Sequence, residues 1–424
     1  MPRGPVVASP VPGAVPQNPG DVIQSSVWNA TVNDIYNIFN TIQPIEYGGT
    51  GVSDGKPLDN SFGIKNSTDP TKVGVFSAAG IPTTTTRTYT LPAASGTLAL
   101  TTDVGGNIGL AASVAANALT IALKGADGND PSASNAVNIN FRNVTPGAGT
   151  STNLSITAAT SLVISSGSTM GFTSASAGRL WIVGFNDGGT FRLGAVNVLS
   201  SQDVYPLRDG IYSSTAEGGA GTADSAQVIY TATAITDKAM TILGYMDWAA
   251  GLVTAGTWAI APTTIQLMEP GIAKPGETIQ IRRTTASSLG SGTVTTPVDD
   301  TIPQITEGTE FMTVAISPAQ APNLLSVSSK AFYNHTVDGA FVTNALFRDA
   351  TANAITASSI YLVLGGGGGD SLVNVAVKAG AVTSTTFRIR GGANIGGTLR
   401  FNGAIARYYG GVINSFLEVQ EIMA

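Results

Sequence analysis

The feature that most constrains this chain is a two-residue period. Apolar side chains recur at alternate positions in short runs such as "NALTIALKG", "NAVNINFRN", "FMTVAIS", "NLLSVSSKAF", "SLVNVAVKAG" and "SFLEVQEIMA". Successive side chains of a strand point to opposite faces, so this period fits half-buried strands and no helix. Many runs stop at Gly beside Asn or Asp, the chemistry of tight hairpin turns. No run approaches the ~18 apolar residues that a membrane-spanning helix needs. The expected fold is mainly β.

Charge is scarce on such a chain. Lys and Arg total 21, Asp and Glu 27, and charged residues make up 11% of 424 residues, for a net charge of −6. Strands normally guard their exposed edges with charge, so a surface this neutral is expected to meet other protein in an obligate oligomer. The acidic balance argues against nucleic acid, whose phosphates require clustered cations. Arg282, Arg283, Arg388, Arg390 and Arg400 read instead as solvent-facing strand positions. There is no cysteine, which excludes disulfides, thiolate metal sites and Cys nucleophiles.

The pattern divides the chain. Residues 1–23 are rich in Pro and Gly, lack the apolar segment of a secretory signal, and read as an extended arm. Residues 24–45 carry the one convincing helical period: Trp28, Val32, Ile35, Phe39 and Ile42 step by 4, 3, 4, 3. That seam suits either a helix packed on its own domain or a short coiled coil between identical chains. Residues 46–105 alternate cleanly but thinly, with Val73, Val75, Tyr89, Leu91, Leu98 and Leu100 as the apolar face. So few side chains cannot offset an ordering cost of roughly 1–2 kcal/mol per residue, so this stretch needs partners, most simply copies of itself. Residues 106–200 read as a β-rich connector, 201–297 as a β-sandwich with bulkier apolar residues, and 298–424 as an antiparallel sandwich or jelly roll.

Catalytic constellations are hard to assemble. His335 is the one histidine, and no G-x-S-x-G surrounds any serine. "GGGGGD" at 365–370 lacks the Lys and following helix of a phosphate cradle. "KGADGNDPSAS" sets Asp127, Asn129 and Asp130 near a glycine, without the closing Glu of a calcium loop. The acidic pairs Asp299–Asp300 and Glu307/Glu310 could hydrolyse glycans only if two carboxyls faced one bond, whereas strand neighbours point apart. The residues therefore predict a binding protein rather than an enzyme, with no cofactor and no metal.

Three segments resemble phage tail fibre proteins. "WNATVNDIYNIFNTIQPIEYGGTG" is similar to the helix-plus-GGTG segment near the virion-proximal end of such fibres. "STDPTKVGVFSAAGIPTTTTRTYTLPAASGTLALT" resembles their recurrent shaft element, and the segments from "DDTIPQITEGTEF" onward resemble their jelly-roll tips. The resemblance implies an elongated homotrimer in the virion, anchored to other virion proteins by its N-terminus. It further implies a C-terminal tip that meets a host surface glycan or protein, with no membrane insertion. Candidate contact residues in the tip are Phe332, Tyr333, Asn334, His335, Tyr408 and Tyr409, for which core or trimer-interface packing is the competing role. Alternatives are a head, neck or baseplate decoration fibre without a receptor, or a glycan-degrading spike.

Overall fold

The computed structural model describes residues 63–65, 68–69, 71, 73–75, 107–142, 151–219, 224–363 and 367–424. The arm, the helix expected over 24–45 with its Trp28–Ile42 seam, and most of the expected shaft lie outside the described residues. Two compact units are delimited, residues 1–97 and 98–424. Within the first, β1 (Gly63–Lys65) pairs antiparallel with β2 (Val73–Val75), Ile64 opposite Gly74. Between them, Asp69 accepts the Thr71 backbone N–H at 3.1 Å, an Asx turn.

The second unit is mainly β, and its described residues hold no α-helix. Its first half begins with the hairpin β3 (Ile108–Ala115) and β4 (Ala118–Gly125). Ala116 and Asn117 turn it with φ of 49° and 62°, matching the right-handed strand twist. A second hairpin is β5 (Val137–Arg142) with β6 (Ser151–Ile156), while β7 (Ser161–Ile164) extends the first. A six-stranded sheet follows, built on β8 (Gly178–Asp187), β9 (Thr190–Val196) and, after the short pair β10 (Leu199–Ser200) and β11 (Asp203–Val204), on β12 (Gly210–Ala216), β13 (Tyr230–Thr231), β14 (Ile235–Trp248) and β15 (Thr264–Leu267). Its order is β12-β13-β9-β8-β14-β15. One face packs Leu180, Ile182 and Trp248 on Leu119, Ile121 and Phe141; the other buries Trp181, Val183, Phe185 and Tyr245. Strand β8 is thus covered on both faces, which accounts for its unbroken apolar run "LWIVGF".

This sheet crosses the boundary expected at residue 200, because β8 and β9 hydrogen-bond with strands from beyond it. Pairing partners distant in sequence, not local composition, decide where a sheet ends. Likewise β16 (Thr278–Ala286), expected in the middle domain, pairs along its length with β25 (Ser415–Ile422).

The second half comprises β16, β17 (Gly290–Gly292), β18 (Thr309–Ile316), β19 (Leu324–His335), β20 (Ala340–Arg348), β21 (Thr356–Leu362), β22 (Gly368–Lys378), β23 (Thr385–Ala393), β24 (Leu399–Phe401) and β25. One sheet runs β16-β25-β19-β22, extended by β24 and β17; the other runs β18-β23-β20-β21. Eight strands shared in this order between two sheets have the connectivity of a jelly roll. Leu325, Val327, Tyr333, Leu346, Phe387, Ile389, Phe401 and Val419 fill the core between them.

A buried arginine joins the halves. Arg179 of β8 pairs bidentately with Asp247 of β14, Nε to Oδ1 at 2.6 Å and Nη2 to Oδ2 at 2.9 Å. Its remaining N–H groups reach across to Gln320 Oε1, Asn323 Oδ1 and the Ala424 carbonyl, and the guanidinium lies 4.1 Å from the Tyr245 ring centroid. Trp181 Nε1 donates to the same Ala424 carbonyl at 2.8 Å. Glu421, fully buried, accepts from Ala319 N, Asn323 Nδ2 and Gln280 Nε2. The sandwich end formed by residues 317–323 therefore faces the six-stranded sheet.

Candidate functional site

Antiparallel strands put alternate connections at opposite ends. Loops 317–323, 349–355 and 379–384 share the end clasped by Arg179; connections 287–308, 336–339 and 394–414, with Val363 and Gly367, share the other. The far end carries unusual surface. Ile405, Tyr409 and Val412 on the last of these connections are 88%, 80% and 81% exposed, and Val337, Val363 and Leu289 are also exposed on neighbouring ones. Tyr409 stands at φ 48°, ψ 41° within a single 3-10 turn, Tyr408–Gly411. A bulky residue in that left-handed region costs of order 1–3 kcal/mol and persists where surrounding structure imposes it.

The tip candidates separate. Tyr408 packs edge-on against Phe332 with centroids 5.6 Å apart, and Tyr409 extends outward beside it at 6.4 Å. Tyr333, Asn334 and His335 are corrections to the expected contact surface, for all three are buried at the end of β19. Tyr333 points into the core against Phe311 and Phe401, and its hydroxyl donates to Asn344 Oδ1 at 3.2 Å. Burial pushes its phenol far above the usual range. Asn334 Nδ2 donates to the Gly367 carbonyl, and His335 Nδ1 sits 3.1 Å from both N and O of Val337. The structure thus brings together Phe332, Tyr408 and Tyr409 and withdraws the other three. No motif marks Ile405 and Val412 in the sequence; their lack of an alternating partner in "GAIARYYGGVIN" is the signal it offers. Nor does any motif mark Phe341 and Tyr361.

The acidic groups are committed locally. Asp127 accepts from Asn129 N at 3.0 Å, Asn129 Nδ2 at 2.9 Å and Asn135 Nδ2 at 3.0 Å; these bonds, Asn129 foremost, lower its pKa. Asp299 accepts from the Thr301 N–H and hydroxyl, which lower it likewise, on the rim of an open cleft of about 410 Å³ with Asp300, Ile302 and Pro303. Glu310 pairs with Arg388 at 3.1 Å and Arg390 at 3.7 Å, and Glu307 accepts the Gln304 N–H. Arg283 likewise reaches Glu418 at 3.4 Å and stacks on Phe416.

No family model matches the chain, and no curated protein matches it. Solved structures align only loosely. One, an infectious bursal disease virus VP2 subviral particle, gives 11% identity over 60% of this chain and 59% of that one, TM-score 0.18. Another, the Gt strain of infectious bursal disease virus, gives 13% over 78% and 80%, TM-score 0.21. Dimeric latent PorU from Porphyromonas gingivalis gives 10% over 60% and 25%, TM-score 0.18. Superpositions this loose carry no assignment.

Proposed function

We propose that the protein is a virion fibre, a trimeric phage tail fibre that attaches the particle to its host through the far-end loops of the jelly roll. One observation carries the reading: large exposed apolar side chains gather on the loops opposite the Arg179 clasp, with Ile405, Tyr409 and Val412 on one of them. A soluble chain rarely concentrates apolar residues this exposed without a partner for them. The sequence resemblance of the N-terminal helix, shaft and tip supplies the location. The mechanism is recognition: the arm and helix anchor the fibre to other virion proteins, the shaft sets its reach, and the tip contacts the cell surface. Catalysis is not part of the reading, because Asp299, Glu307 and Glu310 each spend their carboxylate on a neighbouring donor.

The test combines Ile405→Ser, Tyr409→Ser and Val412→Ser in one protein. Exposed positions tolerate such changes within about 0.5 kcal/mol, so melting should not move. Adsorption to the host strain is expected to fall at least about tenfold, a loss of ~1.4 kcal/mol of binding. Adsorption equal to wild type would remove the loop from the contact surface. Gold-labelled antibody on intact particles is expected at the tail, and labelling at the capsid or collar would favour a decoration fibre instead.

A further inference from the structure

Phe341 and Tyr361 face each other directly across β20 and β21, with ring centroids 4.7 Å apart and planes tilted by 44°. Their strand neighbours Val342 and Leu362 are buried, while the two rings stand 42% and 53% exposed on the outer face. The backbone beneath is fixed: Phe341 N donates to Asn394 Oδ1 at 2.9 Å, and Asn394 N donates to the Phe341 carbonyl at 3.0 Å. The next row on the same face is Thr343 opposite Ser359, whose hydroxyls lie 2.9 Å apart. Neither row contains an Asp, Glu, Lys, Arg or His.

We propose that Phe341 and Tyr361 form a platform for a neutral saccharide, with the exposed Ser359 hydroxyl and the Asn394 amide beside it as hydrogen-bonding partners and the buried Thr343 hydroxyl holding Ser359 in place from below. The proposal rests on the attachment reading and names its ligand class. The negative face of an aromatic ring attracts polarised C–H groups, which a pyranose presents on one side while its rim carries hydroxyls. An anionic or cationic ligand finds no countercharge in these rows. Size decides against a protein occupant. Roughly half of two aromatic side chains, about 200 Å² in all, is exposed, against the ~800 Å² per partner that a stable protein interface buries. The competing role, a cross-strand pair that stiffens the sheet, would be served nearly as well by threonine, a good strand former.

The experiment uses the full chain, an array of neutral and acidic microbial polysaccharides, and calorimetric titration of whatever binds. Wild type is expected to bind at least one neutral polysaccharide. Tyr361→Thr and Phe341→Thr should each weaken it by about tenfold or more, with melting moved by less than ~4 °C. Tyr361→Phe should stay within about threefold, an outcome no loss of fold could mimic. Absence of neutral-polysaccharide binding, or threonine variants that bind like wild type, overturns the platform. Host adsorption by the same proteins keeps the two readings apart. Adsorption that survives Tyr361→Thr overturns the platform alone, whereas wild type that fails to adsorb overturns attachment whatever the array shows.

Discussion

Glu217 shows how much one carboxylate can organise in a chain with few charges. It accepts from Ser165 N at 3.0 Å, Ser165 Oγ at 2.9 Å, Ser168 Oγ at 2.6 Å and Gly219 N at 3.0 Å. Burial pushes its pKa up, but the bonds from Ser168, Ser165 and Gly219 together outweigh that and hold it below 4.5. A carboxyl lowered by folding stabilises fully above its unfolded pKa and loses that contribution as pH falls through the folded one. Asp224 beside it runs the other way. Burial and then the Glu217 charge raise it, its Oδ2 has no hydrogen-bond partner, and its contribution is lost as pH rises through the raised pKa. Glu217→Gln turns an amide N–H₂ toward donors, so it is expected to cost about 2–3 kcal/mol at pH 7 in urea titrations. The gap between variant and wild type should narrow below pH 4.5, and a gap constant to pH 3 would contradict the assignment.

At the scale of elements, Arg179 ties β8 and β14 to the 317–323 loop and to the end of β25. Removing one partner of a buried pair leaves the other charged and unmatched, whereas replacing both with apolar residues often costs little. Arg179→Met is therefore expected to lose about 3–5 kcal/mol, and Arg179→Met with Asp247→Leu to recover most of it; equal denaturation midpoints for the single variant and wild type would refute the clasp. Strand identity was legible in the sequence: "FMTVAIS", "NLLSVSSKAF" and "SFLEVQEIMA" alternate as β18, β19 and β25 do. What the alternation could not reveal is which face is covered. "FYNH" looks like a polar turn, yet it ends a central strand flanked by β22 and β24, so Tyr333, Asn334 and His335 are buried by partners far along the chain. Phe341 and Phe347 share one face of β20 by period, but the first is exposed and the second fully buried. Of the arginines that read as solvent-facing strand positions, Arg283 does lie there, held by Glu418 across the sheet, whereas Arg388 is half-buried against Glu310. Nothing local in the sequence marks Arg179 for burial.

At the scale of the whole molecule, the thin apolar face of residues 46–105 and the low charge both argue for self-association. Light scattering in native buffer is expected to return three times the chain mass, and a monomer would sink the fibre reading. The jelly roll adds a consequence in time. Strand β16 must wait for β25, its partner about 130 residues later, which at ~5–20 residues per second of synthesis is roughly 7–26 s. The six-stranded sheet completes its longest pairings well before then, so the first half can fold while the second still lacks its central strand. Through that interval the edge of β16 is open, and the β25 of a neighbouring nascent chain offers it the same hydrogen-bond ladder as its own. The order of synthesis thus gives chains made side by side on one messenger an opportunity to exchange strands before each closes on itself.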